Sequence, residues 1–266
     1  TTPPIITPPV DKTSKARGYR FLHVSSAFER KGIDVLLEAF GLAFNADDDV
    51  ELYIKTFANP HHEIERQVDS WRKRFRNAPN VIVDLSELDD AHMEALYQTA
   101  DAVVLPSRGE GFGLPAARAL AMGKKLITTA GSGQADFASL AFAELIPYHY
   151  SPSRSHVNNG DAYWLEPQVQ ALTHKLKSVR TSLRQTLAAE WMYSHYNWPQ
   201  SAAHLYSVAR RMIGASHTKS NRQKLSIVSP WRTTCGIAEY AQALTRGWEA
   251  NFNLRVYCDT RTAPNF

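Results

Sequence analysis

The stretch AVVLPSRGEGFGLPAARALAMGKKLITTA, residues 102–130, decides how this chain is read. It opens on an apolar run, AVVLP, bends through Gly109, Gly111 and Gly113, and continues as a helix-forming segment from Pro115 to Met122. A second apolar run, KLITTA, follows. Both runs are continuous rather than alternating, so they predict strands covered on both faces, as in a parallel sheet. Glycines in the bend permit backbone angles closed to other residues and let a ligand come close. Pro115 suits the opening turn of a helix. The amides of Gly113, Leu114 and their neighbours would then point at one spot with the helix dipole behind them, which favours an anion, typically a phosphate. On local chemistry alone, an ordinary strand–helix turn without a ligand reads equally well.

Upstream, the same alternation repeats. RFLHVSS (20–26), VELYIK (50–55) and NVIVDL (80–85) read as strands. Between them, Ile33, Leu36, Leu37, Phe40 and Phe44 recur on one helical face, and Ile64, Val68, Trp71 and Phe75 on another. A short helix over 89–97 should turn Met93 and Leu96 inward. AELIP (143–147) is a candidate sixth strand. The pattern predicts an α/β, Rossmann-like parallel sheet with helices on both faces, and ligands in such folds bind at the carboxyl ends of the strands. After Asp161 the pattern reads as helical: one helix marked by Val169, Leu172, Leu176 and Val179, one from Ser182 to about Tyr196, and one opened by Pro199.

The domain reading follows. Residues 1–18 form a proline-rich linker, 19–213 the main α/β domain, 214–223 a linker and 224–266 an incomplete second domain. In that last block, KLSIVSP, WRTTCG, IAEYAQALTRGWEA and LRVYC spell strand, loop, helix and strand, a partial second βαβ unit. The chain begins at Thr1 without methionine, so the expectation is a piece of a longer chain.

Composition narrows the function classes. A hydrophobic content of 44% in 266 residues is ample for a packed core. A net charge of +4, with cations scattered among acids, argues against nucleic-acid binding. Cys235 and Cys258, far apart, fit a reducing compartment and neither a disulfide framework nor a zinc site. No apolar run approaches the ~20 residues of a membrane helix.

A second feature converges on the glycine bend. Arg30-Lys31-Gly32 abuts the amino end of the first long helix, where cations oppose the helix dipole unless an anion is present. A solvated basic pair is the plainer alternative.

At these residues the sequence resembles a family. EGFGLPAARALAMGKKLI, with FLHVSSAFERKGIDVLLEAF upstream and GSGQADF downstream, is similar to the carboxyl-terminal, nucleotide-sugar-binding domain of family 4 glycosyltransferases, of the GT-B fold. The closing YNWPQSAAHLY resembles that family's tryptophan-containing end helix, and VSPWRTTCGIAEYAQAL the start of a second such enzyme. The resemblance implies transfer of a hexose, mannose being one in the family's range, from a nucleotide-diphosphate sugar to a polysaccharide or lipopolysaccharide, with retention. It implies no metal and no cofactor beyond the donor substrate. It implies a cytoplasmic site, at or near the inner face of the membrane, and an acceptor domain amino-terminal to Thr1. Carried over by position, Glu110 is the catalytic residue that receives donor-sugar hydroxyls, Lys31 and Arg30 hold the diphosphate, and Gly111, Phe112, Gly113 and Leu114 hold the distal phosphate. Leu88 falls in the region flanking the base.

Arg118 departs from that pattern, which carries a second glutamate eight residues after the first to accept the ribose hydroxyls. Arginine has five donors and no acceptor. Losing an acceptor for a buried hydroxyl costs ~1–3 kcal/mol, or roughly tenfold to a hundredfold in affinity. Arg118 could meet a phosphate, pair with Glu110 and silence the site, or be a plain replacement. The alternative function is therefore a catalytically silent, transferase-like scaffold within a tandem enzyme.

Other candidates are weaker. Asp47–Asp49 reads as a polar turn and Asp89–Asp90 as a helix cap rather than metal ligands. His61 and His62 lack zinc-helix spacing. His23 is a core histidine or an active-site one, and Asp136 and Phe137 line the cleft or cap a helix.

Overall fold

The computed structural model describes residues 18–60, 62–154, 162–181, 186–213, 223–228, 241, 245 and 252–257. Six strands form one sheet: β1 (Tyr19–Val24), β2 (Val50–Lys55), β3 (Asn80–Asp84), β4 (Ala102–Leu105), β5 (Lys125–Thr129) and β6 (Glu144–Ile146), in the order β3-β2-β1-β4-β5-β6. Every neighbouring pair is parallel. The expected α/β architecture, a Rossmann-like parallel sheet flanked by helices, is what the chain adopts.

The apolar runs explain the sheet. β4 is buried along its whole length, and Phe21, Leu22, Leu52, Ile54 and Ile127 are fully buried. Strands with both faces covered cannot alternate, because neither face meets water. The helices α1 (Ile33–Ala43), α2 (Ile64–Arg74) and α5 (Val169–Ser178) pack together on one face. Their inward stripe of Leu36, Phe40, Val68, Trp71, Leu172 and Leu176 joins Phe21, Leu52 and Ile54 in the main core. Phe21, Phe40 and Phe44 meet ring to ring at centroid distances of 5.8, 5.7 and 5.3 Å; each such buried ring contributes about 1.5–3 kcal/mol.

On the other connections run α3 (Asp90–Thr99) and α4 (Leu114–Ala121), joined where the Tyr97 hydroxyl donates to Pro115 O at 3.3 Å. Asp89 caps α3 by accepting from the His92 amide at 2.8 Å, as its acidic pair suggested. The inward residue of α3 is not the expected pair. Tyr97 is buried, whereas Met93 and Leu96 are only half-buried. Tyr97 is the residue that reaches α4, through its hydroxyl's bond to Pro115 O, and it carries the burial of this helix.

A second departure lies after β6. The helical reading that begins at Asp161 misses a hairpin of β7 (Tyr148–Pro152) and β8 (Tyr163–Pro167), which pair antiparallel from Tyr148↔Pro167 to Pro152↔Tyr163. Its strands are partner-defined, and their mixed aromatic and polar residues carry no clear local period.

The chain divides into two compact units, residues 1–192 and 193–266, with the division inside α6 (Thr186–His195). The second unit holds α7 (Trp198–Ile213), which starts beside Pro199 as expected, and a parallel pair of β9 (Gln223–Val228) and β10 (Phe252–Tyr257). Ala241 and Thr245 are helical and buried, and the Thr245 hydroxyl donates to Ala241 O at 2.9 Å. The proline-rich start, both linkers' remaining residues, His61, Cys235, Cys258 and the loop at 231–236 lie outside the described residues.

Candidate functional site

The sheet order reverses between β1 and β4, so the loops after those two strands open apart at their carboxyl ends. Both carry the residues singled out above. After β1 the chain passes Ala27, whose φ of 56° lies in the left-handed region, and makes a short turn at Glu29–Lys31. Gly32 follows at φ 70°, and a Cβ there would stand 2.0 Å from Pro106 O. Only glycine allows the two loops to approach so closely. A third loop joins from β5: a Cβ on Gly133 would stand 2.0 Å from Gly111 O.

The bend itself uses its glycines unequally. Gly113 is the amino cap of α4 at φ 88°. Gly109 and Gly111 have no left-handed backbone, and a Cβ on either would meet nothing within 4 Å. The expectation of special backbone angles at all three thus reduces to one, and the other two leave space beside the backbone. The amides of Ala116 and Ala117 reach Gly113 O, so the Gly113–Leu114 start of α4 precedes the helix's own donors. Leu114 is 55% exposed, Gly111 is exposed, and Phe112 rests on Phe137 at 5.1 Å between centroids.

Lys31 and Glu110 meet at the centre. The Lys31 ammonium donates to both Glu110 carboxylate oxygens, at 2.6 and 2.7 Å. The Ser107 hydroxyl donates to Oε1 at 2.7 Å. Arg30 donates to Gly109 O at 2.9 Å and stands 3.5 Å from Oε2. The two side chains at the core of this ion pair are 10% and 13% exposed. Burial pushes the Lys31 ammonium below its ordinary pKa, and the Glu110 carboxylate works in the opposite direction.

Backbone contacts fix Glu110 further. Its amide donates to the Ser132 hydroxyl oxygen at 2.6 Å, that hydroxyl donates back to Glu110 O at 2.9 Å, and the Gly133 amide donates to Glu110 O at 3.1 Å. Ser132 does this at φ 69° and ψ −166°, a conformation that costs ~1–3 kcal/mol for a residue with a side chain.

Beneath the pair lies His23, fully buried in β1. Its Nδ1 donates to Val104 O at 2.8 Å, and Nε2 accepts the Ser25 hydroxyl at 2.8 Å. Burial lowers its pKa from 6.5 to about 4, so the ring is neutral at pH 7. It is the satisfied core histidine of the two expectations, with the charges of Lys31 and Glu110 acting on it.

Two expected residues stand elsewhere. Arg118 lies in the second turn of α4, beyond its opening turn, with its guanidinium 5.5 Å from the Tyr97 ring centroid and 3.5 Å from Asp90 O. The pairing with Glu110 does not form, because α4 turns position 118 toward α3 and the Glu110 carboxylate already faces Lys31. Leu88 is half-buried in the β3–α3 loop. Sequence reasoning missed Ser107, Arg108 and Ser132. Serine beside a glycine bend has no distinctive signal, and Arg108 acquires its partners only from distant segments.

Residues 18–141 match the family model described as Glycosyl transferases group 1. The matched residues include β1 to β5 and all three loops at the site. No curated protein matches the chain. Among solved structures, a sucrose-phosphate synthase from Thermosynechococcus elongatus is similar with a TM-score of 0.59 at 21% identity, over 76% of this chain and 47% of that one. The C-terminal domain of a glycosyl transferase group 1 family protein (LpcC) from Francisella tularensis gives 0.53 at 20% identity, over 67% and 86%. Anabaena HepE, solved in complex with UDP and glucose, gives 0.57 at 16% identity, over 72% and 49%. The chain thus spans about half the length of the first and third of these. At these identities the likeness is one of fold, the GT-B half. No helix among the described residues is long and apolar enough to cross a membrane.

Proposed function

We propose that residues 19–213 are the donor-binding half of a retaining glycosyltransferase of family 4, which takes a hexose from a nucleotide-diphosphate sugar and passes it to a growing polysaccharide or lipopolysaccharide, at or near the inner face of the membrane. Residues 224–266 would begin a second such domain, and acceptor contacts would come from outside the described residues. One observation carries the reading: Lys31, Arg30 and the amino end of α4 are gathered with Glu110 at the switch point of the sheet. Fixed cations and amides facing a leaving diphosphate stabilise its charge as the glycosidic bond breaks. Glu110 supplies the acceptor oxygens for sugar hydroxyls, in exchange for part of its contact with Lys31.

Calorimetric titration of the chain with UDP, GDP and their hexose conjugates tests this. Saturable heat at up to millimolar nucleotide is expected; no heat with any of them removes the donor-site reading. The silent-scaffold alternative is favoured by one fact, that Arg118 offers only donors and spends them on Tyr97 and Asp90. It predicts that the wild-type protein binds no nucleotide and that Arg118→Glu restores binding; no change on reversion removes it.

A further inference from the structure

Arg108 is 1% exposed, although it lies three residues from the exposed Gly111. All five of its N–H groups have acceptors. Nε donates to Glu166 Oε2 at 2.8 Å. Nη1 donates to Glu29 O at 2.6 Å and Asp34 Oδ1 at 2.8 Å. Nη2 donates to Asp34 Oδ2 at 2.7 Å and Glu166 Oε1 at 2.6 Å. The guanidinium also stands 4.9 Å from the Trp164 ring centroid, whose indole is near Arg154 at 5.2 Å. Burial opposes the charge, but the hydrogen bonds and charges of Asp34 and Glu166 outweigh it and hold the pKa above the ordinary arginine value.

The main chain of Arg108 completes the pattern. Its amide donates to Arg30 O at 2.7 Å, and its carbonyl accepts from the Leu165 amide at 3.0 Å. One residue therefore grips three segments: the turn that carries Lys31, the first turn of α1 through Asp34, and the β7–β8 hairpin through Leu165 and Glu166. Its chain neighbours, Ser107 and Gly109, are the ones that contact Glu110 and Arg30.

We propose that Arg108 is a positioning residue that sets the distance between the Lys31 turn and the Glu110 bend. That it does so for donor binding rests on the donor-site reading above. Two bidentate carboxylates on one planar guanidinium determine direction as well as distance, which a lysine with a single ammonium cannot reproduce. A shift of the guanidinium would move Ser107 and Gly109 with it, and a misplacement on the order of 1 Å at such a site costs up to ~100-fold.

The test is Arg108→Lys in the full chain, read by amide hydrogen exchange and by UDP and GDP titration. If Arg108 positions the loops, the amides of Glu110 and Gly133 exchange at least ~10-fold faster than in wild type, while β1 amides keep their rates. Those two amides bond to Ser132 and Glu110 and have no contact with Arg108, so a role confined to local packing would leave them unmoved. Nucleotide affinity falls roughly tenfold or more in the same variant. Unchanged exchange at Glu110 and Gly133 overturns the proposal, as does unchanged affinity. Should Arg108→Lys fail to fold, Glu166→Gln decides by the same exchange readout, since it removes one charged partner while keeping its shape. If wild-type protein binds no nucleotide, the donor reading fails while the exchange result still judges the loop-positioning role.

Discussion

His23 makes the fold sensitive to acid, by an amount that can be worked out. The folded ring, buried and neutral, has a pKa of about 4 against 6.5 for the exposed group. Because Val104 O can only accept, Nδ1 holds the proton, and Nε2 already receives the Ser25 hydroxyl. A second proton would have to displace that hydroxyl and enter near the Lys31 ammonium, an effect the Glu110 carboxylate opposes. The folded pKa is depressed, so between those two values the unfolded chain binds more protons than the folded one. Stability is full above about pH 6.5 and declines as pH falls toward 4. From the linkage relation the loss is about 2 kcal/mol at pH 5 and about 3 kcal/mol at pH 4, levelling off below that. Urea unfolding of wild type and His23→Asn, followed by circular dichroism from pH 7.5 to 4.5, measures it. Asparagine offers a donor to Val104 O but no titrating group, so the stability gap between the two proteins should narrow by about 2 kcal/mol between pH 7.5 and 5. Parallel curves over that range would refute the argument, because they would mean that the buried ring does not hold its proton affinity down.

Other outcomes follow from the same geometry. Lys31→Met leaves Glu110 with Ser107 and Arg30, costing ~1–3 kcal/mol in urea unfolding, and lowers UDP or GDP affinity roughly tenfold or more in calorimetry. Gly32→Ala places a Cβ against Pro106 O in a left-handed backbone; it should destabilise by about 2 kcal/mol or more, visible as a fall in Tm of several degrees. Arg118→Glu removes the cation over Tyr97, a loss under ~1 kcal/mol, and provides acceptor oxygens. On the donor-site reading nucleotide binds about tenfold more tightly in that variant, and unchanged affinity counts against it.

Much of the architecture is legible in residue order. Burial on both faces of a strand requires an unbroken apolar run, and an amphipathic helix requires its 3.6-residue stripe, so the AVVL run of β4 and the Leu36–Phe40 face declare themselves. The hairpin at β7–β8 did not, because strand pairing is a property of two segments and neither half has a period of its own. The same holds within α3, where contact with α4 selects Tyr97 over the pair that local spacing favoured.

The candidate site divides along the same line. By itself the sequence determined the α/β alternation, the glycine-bearing bend before α4 and the basic pair before α1, since these depend on local backbone preference and hydrophobic period. Only the tertiary structure decided that Lys31 and Glu110, 79 residues apart, share one ion pair, that Arg118 turns away to Tyr97, and that Arg108 is buried between Asp34 and Glu166. Charges need partners when water is removed, and which partners are within reach is a matter of how distant loops converge at the end of the sheet.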